Sequence, residues 1–464
     1  MWNKPTLPLN IILLAVWLIT GCETRIWRNP LDPNISPADW APRKLTFYML
    51  SPTEVELRWR QYATQIETYL IERARDENLF RDYGMTSECV FRDTDLQPDY
   101  RYRYRVRGIM HDKESESCEP ITIGYVKMGE MAWSGAQDGY IYAVGVTPDS
   151  RTAFTASYDN SVCAWDMMSG ARRWEVRHNA TVWSLDVNAR GDRICTASGD
   201  RTVRVWQVSD GRQKWSVTGN DMMWSVCFSP DGSMVACGGY NEIILCNAGT
   251  GKQKFHADQT GPIKKVAFSP DNRYLAVGGH EEVRVYRTSN GATRWSAAHP
   301  NVVDVTFSLD GERIVSGGED NRIRCWSAES GALLWENAVA GQISSLVCHP
   351  DRATIYSGSW DGRVAAWNIT DGVPRWTAFL GGRVYALDCS ADSSFVVAGC
   401  GDRTIRALDA STGAPLWNSS PHPDEVRALK ITPNSLKVIS GGGLAAAGRP
   451  VRVWWTRNSW QQLP

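Results

Sequence analysis

Five aspartates, Asp159, Asp200, Asp320, Asp361 and Asp402, recur with a period of 40 or 41 residues, and Tyr240 and His280 fill the two missing places. Regularly spaced carboxylates could serve as general acids or bases, or as ligands for a hard cation. Either chemistry needs a second group converging on the first. The 7 histidines are scattered, mostly in turns, and no His-Glu-x-x-His, Gly-x-Ser-x-Gly, phosphate-binding loop or dinucleotide fingerprint is present. An aspartate in a tight hairpin has a simpler use, accepting hydrogen bonds from the backbone of its own turn. The expectation is therefore a structural role for all five. No catalytic residue, metal or cofactor is assigned.

Thiols are the other reactive groups. The chain has 12 cysteines but no Cys-x-x-Cys and no adjacent pair, which argues against zinc and redox motifs. Cys348 and Cys389 occupy a repeat position held elsewhere by Phe, Val or Ile, so they read as small buried apolar residues. Cys237 and Cys246 fall on successive strands, where a bridge and two free thiols remain alternatives.

The aspartates belong to a longer repeat. Gly129, Gly170, Gly211, Gly251, Gly291, Gly331, Gly372 and Gly413 are each followed four residues later by an aromatic: Trp133, Trp174, Trp215, Phe255, Trp295, Trp335, Trp376 and Trp417. Glycine suits a turn with positive φ. Each aromatic buried against a neighbouring unit is worth roughly 1.5–3 kcal/mol. Six residues after each aspartate stands Trp165, Trp206, Trp326, Trp367 or Leu408, and Gly448 precedes Trp454 by the same interval. A third series runs Val146, Val187, Phe228, Phe268, Phe307, Cys348, Cys389 and Ile431, with Val or Leu always two residues before it.

One place in the repeat is not uniform. Four residues before the third series stand Tyr142, Trp183, Trp224, Lys264, Val303, Ser344, Tyr385 and Arg427. Packing alone favours one chemical type. The variation marks Tyr142, Trp183, Trp224, Lys264, Tyr385 and Arg427 as a candidate partner-binding surface, since aromatics beside Lys and Arg suit protein hot spots. Packing of Trp183 and Trp224 between sheets is the competing account.

These series resemble WD40 repeats, of the form V-x-x-V-x-F-S-P-D-G followed by S-G-x-D-x-x-V-x-x-W. The Gly-x-x-x-Trp turn also resembles the quinoprotein-type repeat, most clearly at Ala407-Leu408-Asp409-Ala410-Ser411-Thr412-Gly413. Only Trp165-Asp166 is a literal Trp-Asp pair, and the family's His appears only at His178 and His299. The resemblance implies an all-β, eight-bladed β-propeller over 128–464. Residues 129–135 would fill the last blade, so that the leading segment seals the ring. The insertion Leu444–Pro450 would lengthen one hairpin of that blade. Enzymatic quinoproteins also carry a vicinal Cys pair and a calcium site, neither recognisable here, so a pyrroloquinoline-quinone oxidoreductase is only the alternative.

Residues 39–127 alternate apolar and polar side chains through Val55, Leu57 and Trp59, then through Tyr69 and Ile71. The segment Leu96-Gln97-Pro98-Asp99-Tyr100-Arg101-Tyr102-Arg103-Tyr104-Arg105-Val106 resembles the fibronectin type III signature, which makes Tyr102 the corner tyrosine and Trp59 the core tryptophan. The row Arg101, Arg103, Arg105, Arg107 would meet either an anionic surface or cross-strand carboxylates such as Glu72, and the second is favoured.

The N-terminus reads as an address. Lys4 precedes an apolar run over 7–19 that is short for a membrane span, and Ile19-Thr20-Gly21-Cys22 follows. This resembles the bacterial lipobox. It implies a signal peptide over 1–22, a lipid on Cys22, and a tether over 23–38 anchoring the protein to the membrane. Glu23, in place of Asp, points to the outer membrane, facing the periplasm or the cell surface. With 50 basic and 51 acidic residues, charge gives no argument for nucleic acid. The whole reads as a non-catalytic envelope scaffold, a monomer or part of a hetero-complex, that binds other envelope proteins. By architecture an outer-membrane assembly factor is also an alternative.

Overall fold

The computed structural model describes residues 36–463, apart from 52, 62, 64–65, 98–99, 112, 443–448 and 458. Cys22, the leader, all but the end of the tether, and most of the 444–450 insertion lie outside the described residues. The chain divides into two compact units. One is 127–458. The other combines the N-terminal residues to Val126 with the segment from Ser459 onward.

The strands of the first unit are β1 (Arg43–Ser51), β2 (Glu54–Arg60), β3 (Thr68–Arg75), β4 (Arg81–Thr86), β5 (Val90–Asp93), β6 (Arg101–Met110), β7 (Lys113–Glu114) and β8 (Ile121–Val126). One sheet runs β1-β2-β5, and the other runs β4-β3-β6-β8 and on to the chain's last strand, Ser459–Leu463. Strict alternation in β6 buries Tyr102, Tyr104 and Val106 with Trp59 and Tyr69. The Tyr102 hydroxyl accepts from Gln97 N at 3.0 Å and donates to Asp95 O at 3.4 Å. On the other face, buried Glu72 accepts two bonds each from Arg105 and Arg107, at 2.7–2.8 Å. Half of the arginine row is therefore committed to one internal carboxylate.

The last strand corrects the expected extent of the ring. Residues 459–463 do not continue the second unit. They pair antiparallel with β8, from Ser459 opposite Val126 to Leu463 opposite Thr122. The physical reason is that β8 would otherwise present an open edge, and this strand satisfies its backbone.

In the second unit, eight antiparallel sheets are present among the described residues. Their first strands are Ile141–Val146, Val182–Val187, Met223–Phe228, Lys265–Phe268, Val302–Phe307, Ile343–Cys348, Val384–Cys389 and Val426–Ile431. Each packs on the next in this order, and the eighth packs on the first. β9 (Met131–Gln137) is the outer strand of the last sheet, pairing with Arg449–Trp455 so that Trp133 lies opposite Val453. Side chains of the first strands tie neighbouring sheets together. Asp186 accepts from Phe228 N, Ser225 from Val266 N, Asp304 from Leu346 N, Ser345 from Leu387 N and Asp388 from Ile431 N, at 2.7–3.2 Å. A ring of radially stacked antiparallel sheets is the arrangement of a β-propeller.

The glycine-aromatic series explains how the sheets lock. The turn glycines have φ between 71° and 80°. Each lies against the aromatic of the preceding repeat: Gly170 on Trp133, Gly211 on Trp174, Gly251 on Trp215, Gly291 on Phe255, Gly331 on Trp295, Gly372 on Trp335, Gly413 on Trp376 and Gly129 on Trp417. A β-carbon at the first seven positions would come within 3.0 Å of the ring. Glycine is thus required both by the turn and by the ring above it.

All eleven cysteines among the described residues are free, Cys237 and Cys246 included. Burial pushes the Cys246, Cys348 and Cys389 thiols up to about 12.

Candidate binding face at the ring mouth

In six of the eight sheets the start of the first strand lies beside the turn between the second and third strands. Tyr158 N donates to Tyr140 O at 2.8 Å, Tyr240 N to Met222 O at 3.0 Å, Trp360 N to Gln342 O at 3.0 Å and Gly401 N to Arg383 O at 2.7 Å. These segments share one face of the ring. In seven of the eight sheets the pairing of the first two strands slips there. The residue skipped is Tyr142, Trp183, Trp224, Val303, Ser344, Tyr385 or Arg427. A bulge leaves its extra residue unpaired and re-aims the side chain. That frees this position from the packing rule its neighbours obey.

The freed side chains meet. Tyr142 lies 4.7 Å from Trp183, and Trp183 stacks on Trp224 at 5.1 Å with the rings 13° apart. Tyr140 stacks on Tyr142 at 6.1 Å. Arg427 sits 5.3 Å from the Tyr140 ring centre and 5.2 Å from that of Tyr385. Tyr385 meets Trp360 edge-on at 6.2 Å, and Arg383 lies over Trp360 at 4.7 Å. The result is one unbroken arc of rings and guanidinium groups, from the sixth sheet through the eighth to the third. Trp183 and Trp224 are half-buried. Their indole N–H groups are closed off, with no acceptor among the described residues.

Lys264 stands outside this arc. It bonds Glu319 of the next sheet, which leaves it no open charge. Burial works against the charge of Arg427, but Glu425 at 2.8 Å outweighs it and holds the guanidinium protonated. The sequence pattern missed Tyr140, Arg383, Trp360, Tyr158 and Tyr240. A signal for them exists. Tyr140 and Arg383 lie two residues before the variable position, on the same side of a strand. Tyr158 and Trp360 directly precede the turn aspartates, and Tyr240 fills an aspartate place.

The turn aspartates lie at the hairpins. Asp159 accepts from Ser161 N, Asp200 from Thr202 N, Asp320 from Arg322 N, Asp361 from Arg363 N and Asp402 from Thr404 N, at 2.9–3.2 Å. Two extend inward. His178 joins Asp200 (3.2 Å) to Thr196 (2.8 Å), which accepts from Trp206 Nε1 at 2.9 Å. His299 likewise joins Asp320 (3.3 Å) to Ser316 (2.7 Å), which accepts from Trp326 Nε1 at 2.8 Å. In the first sheet Gln137 takes the histidine's place, between Ser161 and Thr155. Burial lowers the pKa of both imidazoles, that of His299 to about 4. Burial raises the Asp200 carboxyl, but bonds from His178, Asn179 N and Thr202 outweigh it and hold it far below the usual range. These groups are spent on one another. Among the described residues no group of three metal-ligating side chains converges, and no helix is long and apolar enough to cross a membrane.

The family model described as the IFT122 first beta-propeller matches residues 131–368. The model described as outer membrane protein assembly factor BamB matches residues 319–455. No curated protein matches the sequence. Among solved structures, the computationally designed Ika8 protein superposes with a TM-score of 0.63 at 23% identity, over 70% of this chain and 100% of its own. The C-terminal WD40 domain of Sif2 does so with a TM-score of 0.63 at 16% identity, over 71% of this chain and 99% of its own. At such identities the likeness is one of fold.

Proposed function

The chain belongs to the IFT122 first beta-propeller family, and from that premise we propose that it is a non-catalytic scaffold which captures a partner protein at the mouth of an eight-bladed, WD40-like propeller. The observation that carries this reading is the unbroken arc from Trp360 through Tyr385, Arg427, Tyr140, Tyr142 and Trp183 to Trp224. Half-exposed aromatics bracketed by arginine have the composition of interface hot spots. The cyclic order of the first strands supports a count of eight blades, and the β9 pairing supports closure by the leading segment.

In this proposal the first unit is a fibronectin type III-like spacer. The order of its two sheets and the Tyr102 bonds to Asp95 and Gln97 support that identification. Cys22 carries the lipid, which places the protein in the cell envelope, at the outer membrane. The match of residues 319–455 to the BamB model favours, as a second reading, a part in outer-membrane assembly.

The test is capture from detergent-solubilised envelopes, comparing the full chain with a Trp183→Ala, Trp224→Ala, Arg427→Ala variant. The variant is expected to keep its melting curve and lose the partner. A variant that retains the partner overturns the proposal. Reduction of a redox dye on adding pyrroloquinoline quinone and calcium would overturn its non-catalytic part.

A further inference from the structure

Building on the scaffold reading, we propose that the mouth takes a linear peptide segment whose apolar side chains lie on the Tyr142–Trp183–Trp224 stack and whose carboxylate meets Arg383. Two features set this chemistry, a continuous apolar platform and one cation left open at its far end.

The platform comes first. Successive members of the arc are 4.7 to 6.2 Å apart. An extended chain at ~3.3 Å per residue follows such a contour in about ten residues. That is the scale of a linear segment rather than a small molecule. The two indole N–H groups are sealed, so the rings offer faces and edges, not donors. Apolar side chains recover most from such a surface, at about 25 cal/mol per Å² removed from water.

The charges then orient the segment. Arg427 is neutralised by Glu425, and Lys264 by Glu319. Arg383 is exposed, lies over Trp360, and has no carboxylate partner among the described residues. Its charge is thus held in place without being answered. At the other end Asp221, three residues before Trp224, is a carboxylate that accepts from Met222 N. The arc's unpaired cation, Arg383, thus lies at the seventh sheet beside Trp360 of the sixth, and its member at the third sheet, Trp224, is uncharged. A carboxylate fits the first end and apolar side chains fit the second. A nucleic-acid strand would need a positive groove running along its rings, and the arc itself holds one arginine, Arg383, without a carboxylate against it.

The experiment pans a displayed library of random twelve-residue peptides on the full chain, and in parallel on Arg383→Glu and on the Trp183→Ala, Trp224→Ala pair. Wild type is expected to enrich peptides with Asp or Glu beside apolar residues. Arg383→Glu should enrich Lys or Arg in its place, and the tryptophan pair should enrich nothing above background. Replacing the acid by its amide in a selected peptide should weaken binding at least tenfold, read by tryptophan fluorescence. No enrichment on wild type, a consensus without an acid, or an unchanged consensus on Arg383→Glu overturns the proposal. Saturable quenching by a neutral oligosaccharide in place of the peptides also overturns it. The envelope-capture variant separates the two levels. Loss of the partner there with no acidic consensus here leaves the scaffold reading standing and removes the peptide class. Retention of the partner removes the scaffold reading itself.

Discussion

The indole of Trp133 lies on Gly170: a β-carbon at the glycine would stand 2.8 Å from the ring, and the ring nitrogen donates to Met167 O at 3.1 Å. Trp133 belongs to β9, which pairs into the last sheet, whereas Gly170 turns the first. This contact bolts the end of the ring to its beginning. Gly129, just ahead of β9, lies in the same way against Trp417 of the seventh sheet.

The close approach gives a substitution with an internal control. Gly170 and Gly381 both have positive φ, 74° and 79°, but nothing lies within 4 Å of a β-carbon at Gly381. Gly381→Ala therefore meets backbone strain alone, about 1–2 kcal/mol. Gly170→Ala adds the clash with Trp133, and overpacking of this kind costs about 1–3 kcal/mol more. Urea unfolding of the two variants is expected to separate them in that order. Equal midpoints would show that the ring yields freely and is no bolt.

A second contrast concerns the indole nitrogens. Trp215 Nε1 donates to Ala248 O at 2.9 Å, as Trp174, Trp295, Trp335 and Trp376 do to the matching carbonyls. Trp417 Nε1 has no acceptor among the described residues. Trp215→Phe should therefore cost about 1 kcal/mol more than Trp417→Phe, the net worth of one buried hydrogen bond. Paired denaturant titrations decide it. Phe255, which holds this place in the third sheet, shows that the ring tolerates the missing donor.

The repeat was legible because its signals are local. A glycine four residues before an aromatic, or an aspartate six before a tryptophan, needs no knowledge of the partner. The arc was only half legible. Tyr142, Trp183, Trp224, Tyr385 and Arg427 could be picked out because the bulge frees one position to vary. Lys264 shares that position, yet its charge is answered by Glu319, a cross-sheet pairing that no spacing encodes. Tyr140, Arg383 and Trp360 hold fixed places in their repeats, two before the variable position or one before the turn aspartate, but spacing alone does not show that Arg427 reaches Tyr140 or that Arg383 reaches Trp360 across sheets. The last strand escaped for a similar reason. Residues 459–463 carry no repeat signal, and their partner β8 lies more than 300 residues earlier.

Buried histidines set an acid limit on stability. The pKa of His299 in the fold is about 4, lowered from 6.5 chiefly by burial. Between those values the unfolded chain binds more protons than the folded one. The stabilisation is complete above pH 6.5 and is lost as pH falls toward 4, by about 3 kcal/mol for this residue. His178 shifts in the same direction. Unfolding free energy measured at pH 7.5 and 4.5 should fall more steeply in wild type than in His299→Gln, which has no imidazole to protonate. Parallel slopes would sink the assignment.

The C-terminal strand gives the sharpest test of how the first unit is completed. Its five residues pair with β8 from Thr122 to Val126, and β8 pairs on its other side with β6. Without them β8 becomes a sheet edge that bares backbone donors and acceptors, a template for pairing with another chain. Trp454 and Trp455, which seat the last sheet, precede the cut and stay in place. A chain ending at residue 458 should therefore lose stability in the first unit while the ring keeps its own transition. It should also self-associate where the intact chain does not. Calorimetry resolves the two transitions, and sedimentation reads the association. A first-unit transition at its original temperature, in a chain that stays monomeric, would mean that β8 tolerates an open edge and that the added strand contributes little.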